Sequence, residues 1–359
     1  MDIAAAQDLF DAEPGWLNTA SFGLPPRPAW DALQEALEVW RRGTNGSECW
    51  YDATRRAREG FARLVGAPVA DVAIGSTTSG LIAPVAAALP AGSRVVVPDV
   101  EFTSNLFPWM VHADRGVEVV TVPVEELVQS VDRRTTVVAF SAVQSATGQV
   151  ADFDRLVEVG RDAGALVVVD ASQAAGWLPR AWTRADVVVA SAYKWLMAPR
   201  GAAFGYFAPA VRERLRPIQA GWFAGEDVGA SFYGPPLRLA RDARRLDISP
   251  AWFSYVGAAP ALDLLLDLGV DRVHTHDVAL ANRFREGLGL PAGDSAIVSV
   301  DLPGAEERLA AAGIRAGLRN GQVRVSFHLY STVDDVDRAV EALRPSASAS
   351  RRGEVTDAS

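Results

Sequence analysis

The stretch ALVVVDASQAAGWLPRAWTRADVVVASAYKW (165–195) contains two valine-rich runs, and polar residues follow each run at once. Similar apolar runs precede it at 71–75, 94–98, 117–123 and 135–141. Nearly continuous apolar strands separated by helix-length segments are typical of a parallel sheet that helices cover on both faces. We therefore predict a doubly wound α/β domain, in which ligands bind at the carboxyl ends of the strands.

The chain has 359 residues, which is longer than one core usually supports, so we expect two domains. The alternation of strands and helices stops near residue 210, and a segment rich in glycine, proline and aromatic residues follows at 220–236. We expect this segment to pack on the site or on a partner subunit. A helix-like run at 255–270 leads into a smaller unit with strand patterns at 296–303 and 322–330 and an amphipathic helix at 333–344. The predicted divisions are an N-terminal arm (1–15), a large α/β domain (16–254), a small C-terminal α+β domain (255–345) and a disordered tail (346–359).

Composition narrows the class of partner. The net charge is −9 and the basic residues are scattered, which disfavours nucleic acid and anionic membranes. The single cysteine, Cys49, excludes an intrachain disulfide and a cysteine-rich zinc site, and we expect no metal. Neither a signal peptide nor an apolar run of about 20 residues is present. A cytoplasmic protein that binds a small molecule fits these features best.

Lys194 is the only lysine among 35 basic residues, and the other 34 are arginines. A primary amine can lose its proton and add to an aldehyde as an imine, whereas a guanidinium cannot. Lys194 follows one valine-rich run and Asp170 ends another, 24 residues earlier. That separation is one αβ unit, so we expect the two residues to end neighbouring or near-neighbouring strands.

Other polar and aromatic groups follow the remaining strands. GSTTSG (75–80) opens a helix, where hydroxyls and free N–H groups suit a phosphate, although such residues also serve as ordinary caps. Phe102 lies just past a strand end, where it either stacks on a planar ring or belongs to the core. A phosphate cradle, a stacking aromatic, an aspartate for a pyridine nitrogen and a lysine for an aldehyde are the needs of pyridoxal 5′-phosphate. We therefore predict this cofactor.

The ordered series of motifs resembles the class V aminotransferase family of fold-type I pyridoxal-phosphate enzymes, over roughly residues 15–345. The motifs are NTASFG (18–23), GSTTSG (75–80), EFTSNLFPW (101–109), VQSATG (143–148), VDASQ (169–173), SAYKW (191–195) and VRVSFHLYST (323–332). Their order and spacing together carry the resemblance. It implies a mainly parallel, doubly wound domain followed by a smaller α+β domain.

The resemblance also implies roles for single residues. Lys194 would hold the cofactor as a Schiff base, Asp170 would pair with the pyridine nitrogen, Gln173 would contact the ring hydroxyl and Phe102 would stack on the ring. The phosphate would be held by Thr77, Thr78, Ser191 and Tyr193.

Further residues are expected at the substrate. Arg324 resembles the arginine that takes the substrate α-carboxylate as a bidentate pair, and Asn18 and Ser21 line the pocket. Strand alternation puts His328 on the face of Arg324, where it is either an acid or base or a satisfied structural histidine. Trp222 is a candidate for the side-chain pocket, and core or interface packing explains it equally well.

Ile248-Ser249 stands where relatives send a Gly-Thr pair to the phosphate of the partner subunit. The resemblance therefore implies that Ser249 contacts that phosphate and that the protein is a homodimer with shared sites.

The departures from the family pattern bear on the reaction. Cysteine desulfurases of this group carry a nucleophilic cysteine shortly before the carboxylate-binding arginine, but residues 310–324 contain none. Our leading hypothesis is therefore a lyase that eliminates a Cβ substituent from an amino acid, like a C–S lyase, without a catalytic cysteine. An aminotransferase and an amino-acid epimerase stay open as alternatives, as does a non-catalytic binding module with the same fold.

Overall fold

A computed structural model describes residues 1–44, 46 and 48–344. Seven strands form the main sheet: β1 (Val72–Gly75), β2 (Arg94–Pro98), β3 (Glu118–Val122), β4 (Thr135–Ser141), β5 (Leu166–Asp170), β6 (Val187–Ser191) and β7 (Ala203–Phe207). Their order across the sheet is β1-β7-β6-β5-β4-β2-β3. Strand β7 is antiparallel to both of its neighbours, and every other pair is parallel. All six strands expected from the valine-rich runs are present, and β7 is an addition.

Twelve α-helices accompany the strands in the described ranges: α1 (Ile3–Gln7), α2 (Arg27–Arg42), α3 (Glu48–Val65), α4 (Thr78–Ala87), α5 (Thr103–Met110), α6 (Leu127–Ser130), α7 (Phe153–Ala163), α8 (Pro209–Arg212), α9 (Trp252–Leu268), α10 (Val270–Gly287), α11 (Ala305–Ala311) and α12 (Val333–Leu343). Local sequence explains their ends. For example, the Asp152 side chain accepts a hydrogen bond from Arg155 N at the start of α7, and Gly164 ends that helix in a left-handed conformation.

The valine runs fill two apolar layers, one on each face of the main sheet. Val188 of β6 packs in the layer that includes Phe61 of α3. Its neighbours Val187 and Val189 pack in the opposite layer. Because successive strand residues point to opposite faces, a strand buried on both sides must be apolar at nearly every position.

Strands β5 and β6 are adjacent and parallel, so the predicted neighbourhood of Asp170 and Lys194 is confirmed. The connection between them differs from the expected αβ unit. Residues 171–186 form turns and a short 3₁₀ helix, Trp182–Arg184, instead of an α-helix. Trp177 belongs to this connection and its ring is buried. The centre of that ring lies 5.4 Å from the centre of the Trp195 ring.

The smaller sheet is antiparallel and contains β8 (Ile297–Val300), β9 (Gly317–Arg319) and β10 (Gln322–Ser326) in the order β8-β10-β9. A two-residue turn, Asn320-Gly321, joins β9 to β10 with φ values of 49° and 79°. Positive φ at both turn residues is what a type I′ hairpin requires. The expected strand at 322–330 is shorter than predicted, because β10 ends at Ser326.

The two parts of the chain meet around α9 and α10. Helix α9 belongs to the apolar layer of the main sheet, whereas Leu280 and Phe284 of α10 belong to the core of the small sheet. The predicted division at 254/255 stays a prediction, and the expected tail at 346–359 lies outside the described residues. Within the described ranges, no single helix has the length and apolar character that crossing a membrane requires, and only α9 with α10, bent by 86°, meet that criterion as a pair.

Candidate active site

Lys194 lies in the turn after β6 and is 7% exposed. Its Nζ is 5.4 Å from the centre of the Phe102 ring and 5.6 Å from the centre of the Tyr193 ring. Among residues 1–44, 46 and 48–344, no side chain forms an ion pair or hydrogen bond with this nitrogen. A buried amine without a partner is costly, and such groups are concentrated at functional sites.

Burial lowers the pKa of Lys194 to about 8. The Asp170 carboxylate opposes this effect, while the positive charges of Arg324, Arg319 and Arg200 add to it. An ammonium group is penalised both by the loss of water and by nearby like charges. Roughly a tenth of the amine is therefore neutral at pH 7 and half near pH 8, and the neutral form is the one that acts as a nucleophile or proton acceptor.

The backbone around Lys194 is held tightly by the N-terminal segment. Gly23 N donates a hydrogen bond to Tyr193 O at 2.9 Å. A Cβ on Gly23 would lie 2.0 Å from Lys194 O, so only glycine allows this approach. Met197, three residues after the lysine, adopts a φ of 54°, which is uncommon for a residue with a side chain. This packing fixes the direction in which the lysine leaves the strand.

Asp170 ends β5 and is buried, with its Oδ1 accepting a hydrogen bond from Ser172 N at 2.8 Å. Burial raises the pKa of this carboxyl, while Ser172 and the Lys194 charge act in the opposite direction. A buried carboxylate with so little compensation suits a cationic partner that the chain itself does not supply.

Hydroxyl groups from three strand ends meet beside Asp170. Thr78 Oγ1 lies 2.9 Å from Ser191 Oγ and 3.1 Å from Ser172 Oγ. Thr77 is the N-cap of α4 and accepts a hydrogen bond from Gly80 N. A helix N-terminus flanked by hydroxyls favours an anion. The structure thus brings together Thr77, Thr78 and Ser191, three of the four residues expected at the phosphate, and Tyr193 lies beside Lys194.

Phe102 is 45% exposed although it adjoins the buried lysine, so one side of its ring is open. Its backbone N–H donates to Glu101 Oε1 at 3.0 Å. The same carboxylate accepts hydrogen bonds from Ser141 and from Gln144 Nε2, and burial raises its pKa. Glu101 thereby ties the Phe102 loop to the end of β4. Glu101 belongs to the EFTSNLFPW motif, but no role was predicted for it.

Arg324 of β10 has no exposed surface. It donates to Ser145 O and Ser145 Oγ from Nη1, and to Ser21 Oγ from Nη2 at 2.9 Å, whereas its Nε has no partner in the described part of the chain. Gly317 keeps this edge open, since a Cβ there would lie 3.3 Å from Nη2. Burial lowers the pKa of Arg324 to about 10, and the Arg319 charge adds to this shift.

The remaining N-terminal and ring-contact candidates adjoin Arg324. Ser21 Oγ donates to Asn18 Oδ1 at 2.7 Å. Gln173 Nε2 donates to Ala20 O and to Ser145 Oγ, while its Oε1 accepts from Trp195 Nε1 at 2.8 Å. Ser145 was not predicted. It belongs to the quoted VQSATG motif, but its contact with Arg324 spans 179 residues and has no local signal.

His328 departs from the sequence argument, which assumed that β10 continues through it. The strand ends two residues earlier, and the imidazole has no exposed surface. Nδ1 lies 2.9 Å from Asp277 Oδ2, and Nε2 lies 3.1 Å from Trp195 O. The histidine therefore braces the backbone beside Lys194 and has no free nitrogen for substrate.

The two remaining candidates are Trp222 and Ser249. Trp222 packs against Tyr51, Phe223 and Phe232 at centroid distances of 5.2–6.1 Å. Ser249 is exposed, as its proposed contact with a partner subunit requires. The segment around Trp222 contains short 3₁₀ helices at Trp222–Ala224 and Gly229–Ser231.

The donor set around Lys194 fits pyridoxal phosphate. It combines an unpartnered amine, an open aromatic face, a buried carboxylate and a hydroxyl-lined helix N-terminus. The orphaned Nε of Arg324 adds a site for a carboxylate.

Comparison with known proteins supports this reading. The family Aminotransferase class-V matches residues 26–302. An isopenicillin N epimerase of Amycolatopsis lactamdurans is 30% identical, with 91% of this chain and 94% of that protein covered. The uncharacterized aminotransferase YcbU of Bacillus subtilis is 29% identical, with 91% and 93% covered.

Among solved structures, the cystine C–S lyase C-DES is similar with a TM-score of 0.83 at 19% identity, covering 92% of this chain and 97% of that one. A mutant of the same protein has glycine covalently linked to its PLP cofactor. At this identity the likeness concerns the fold, and it confirms the predicted fold class. Because the family match spans most of the sequence, the chain belongs to the class V aminotransferase family.

Proposed function

We propose that this chain is a pyridoxal-phosphate-dependent enzyme that acts on an amino acid and eliminates a substituent from its Cβ. One observation carries the proposal: the chain's only lysine is buried in the turn after β6 without a hydrogen-bond or ion-pair partner among the described residues, and Asp170 ends the adjacent strand β5. Arg324, from the smaller sheet, faces the same region with an unpaired Nε.

Each group has a role in holding the cofactor. Lys194 would bind its aldehyde carbon, Asp170 would hold a proton on its pyridine nitrogen, and Phe102 would cover one face of the ring. Thr77, Thr78, Ser191 and Tyr193 would hold its phosphate, and Gln173 would contact the ring hydroxyl from its place between Ala20 and Ser145. When bound, pyridoxal phosphate supplies an electron-withdrawing ring that stabilises negative charge at the Cα of an attached amino acid.

The protein then positions the substrate and moves a proton. Arg324 binds the α-carboxylate through its Nε edge, which is unpaired. Lys194 would be the base that removes the Cα proton, because its lowered pKa makes part of the amine neutral near pH 7. In elimination the Cβ–substituent bond breaks and the substituent leaves with the bonding electron pair, so one base and one leaving group suffice.

The contacts of the described residues favour elimination over two alternatives. A desulfurase needs a thiol near the substrate, but Cys49 is exposed on α3. An epimerase that uses two bases needs a second proton carrier, but both His328 nitrogens already have partners. The relatives include proteins named as an epimerase and an aminotransferase. The test must therefore distinguish elimination from transamination.

A homodimer is part of the proposal. Apolar side chains are exposed beside the expected phosphate site: Phe107 of α5, Val111 just after α5, and Ile218 line one cavity with Thr77. Exposed apolar surface of this kind usually marks an interface. A second copy would cover it and bring its Ser249 to the phosphate.

The test uses purified enzyme with bound cofactor and a panel of amino acids that includes S-conjugates of cysteine. Release of pyruvate and ammonia without any added keto acid is the expected result. The Lys194→Ala variant is the control and should release neither. Product that forms only when a keto acid is supplied would move the assignment to transamination, and a change of stereochemistry without release would move it to epimerisation.

A further inference from the structure

Two positively charged side chains donate hydrogen bonds to the same atom, Ser21 Oγ. It accepts hydrogen bonds from Arg324 Nη2 at 2.9 Å and from Arg319 Nη2 at 3.2 Å. Its own proton goes to Asn18 Oδ1 at 2.7 Å. A hydroxyl has one donor and two acceptor positions, so Ser21 is fully used, and two guanidinium groups share one neutral oxygen.

The hairpin of the small sheet explains why Arg319 is here. Gly317 of β9 pairs with Arg324 of β10, and Arg319 pairs with Gln322. Paired residues share a face of a sheet, as do residues two apart on one strand. The Asn320-Gly321 turn therefore sets a register in which Arg319 and Arg324 are diagonal neighbours on one face.

No carboxylate offsets these charges. Neither Arg319 nor Arg324 has an Asp or Glu oxygen within 4.0 Å in the ranges that the structure describes. Like charges on adjacent strands destabilise a sheet, and Arg324 has no exposed surface. Both guanidinium groups also act on Lys194, so the excess of positive charge belongs to the candidate site itself. An arrangement this unfavourable is stabilised by an anionic ligand.

We propose that Arg319 binds a second carboxylate, at the end of the substrate side chain, while Arg324 binds the α-carboxylate. The inference rests on the proposed function and names its substrate class: amino acids whose Cβ substituent ends in a carboxylate. One carboxylate occupies the unpaired Nε edge of Arg324, and the other displaces the neutral Ser21 hydroxyl from Arg319. Because both bonds to Ser21 end on one atom, a short dicarboxylic acid reaches both arginines.

Arg319 is suited to select the side chain. It is half-buried, and its other contact, from Nη1, is with Leu318 O at 2.7 Å, so the guanidinium is held in place while an edge stays accessible. A planar fork of N–H donors matches a carboxylate and discriminates against neutral side chains of the same size.

Binding of unreactive acids tests the inference without catalysis. Isothermal titration of the cofactor-loaded enzyme with succinate, glutarate and butanoate compares two carboxylates with one, at fixed ionic strength. We expect at least one of the dicarboxylates to bind ~10-fold more tightly than butanoate, because a charged hydrogen-bonded pair contributes that much. Arg319→Gln should remove this preference, so that butanoate and the dicarboxylates bind with similar affinity.

Arg133→Gln is the matched control. Arg133 is exposed and precedes β4, at the end of the sheet opposite the site, so the same loss of charge should leave the preference intact. With amino-acid substrates, Arg319→Gln should raise KM more for an acidic side chain than for a neutral side chain of the same size.

The outcomes separate this inference from the proposed function. Equal affinity for butanoate and both dicarboxylates in the wild-type enzyme would overturn the role of Arg319 and leave Arg324 and the reaction in place. Failure of every carboxylate to bind would overturn both, because Arg324 would then hold no α-carboxylate.

Discussion

Lys194 Nζ lies 5.4 Å from the centre of the Phe102 ring, although the two residues follow strands β6 and β2, which are separated in the sheet by β5 and β4. The loop after β2 must therefore cross the strand ends to reach the lysine. Glu101 holds this loop through Phe102 N and Ser141. An open aromatic face beside a buried amine is the relationship on which the proposed cofactor site depends.

Removing the Phe102 ring should weaken cofactor binding with little effect on stability. Phe102→Ala removes a stacking interaction that contributes about 1 kcal/mol to cofactor binding. The Kd for pyridoxal phosphate should therefore rise about fivefold to tenfold. The measurement is a fluorescence titration of the cofactor-free protein. Trp40→Ala removes an exposed ring on α2 that contacts Phe253 instead, and should leave the Kd unchanged. Equal Kd values for wild type and Phe102→Ala would remove Phe102 from the site.

The reactivity of Lys194 should rise with pH around a midpoint near 8. Below its pKa the amine is protonated and cannot attack an aldehyde, and above it the neutral amine can, so attachment of pyridoxal phosphate to the cofactor-free protein should speed up through pH 8. Stopped-flow absorbance at several pH values gives the profile. Arg319→Gln should move the midpoint upwards, because that positive charge lowers the pKa. A wild-type midpoint at the ordinary value for lysine would contradict the buried environment.

Gly23→Ala should destabilise the protein by roughly 1–3 kcal/mol, because the added Cβ would lie 2.0 Å from Lys194 O and the backbone must shift. Urea unfolding measures the free energy. Gly221→Ala is the matched control, since a Cβ there meets nothing within 4 Å and φ is −125°. If both variants unfold at the same urea concentration, the N-terminal segment does not pack on the lysine turn as described.

Asp277 accepts hydrogen bonds from two histidines, His276 and His328, at 2.9 Å each, and has no exposed surface. Asp277→Asn keeps the shape but removes the negative charge, and we expect a loss of about 1–3 kcal/mol in unfolding free energy. Asp337→Asn breaks an exposed pair with Arg283 and should cost less than about 1 kcal/mol. If the two variants lose similar unfolding free energy, then His328 does not stabilise the Trp195 backbone as its contacts indicate.

The main sheet was predictable because its signal is local. Strands buried on both faces must be apolar throughout, so runs such as those around Val168 and Val188 identify themselves. Strand β7 was not predicted, because Gly205 interrupts its apolar run and because its antiparallel pairing with β1 joins residues far apart in sequence. The connection between β5 and β6 is long enough for a helix, so its length did not indicate that it consists of turns.

The site was predictable where residues follow strands directly, and less so where the contact is tertiary. Asp170 ends β5 and Lys194 follows the adjacent strand β6 by three residues, so position in sequence placed them. Arg319 was missed, although the Asn320-Gly321 pair is a strong hairpin signal that would have placed it on the face of Arg324. Strand alternation did not apply to His328, because β10 ends two residues before it.

Reduction of the cofactor-loaded protein with borohydride, followed by peptide mass spectrometry, tests whether Lys194 holds the cofactor. The chain has one lysine, so the only other primary amine is the N-terminus. We predict a pyridoxyl group fixed on the peptide that contains Lys194, and none on this peptide in Lys194→Ala. A protein that binds no pyridoxal phosphate, or that carries the label on its N-terminal amine alone, would contradict the account.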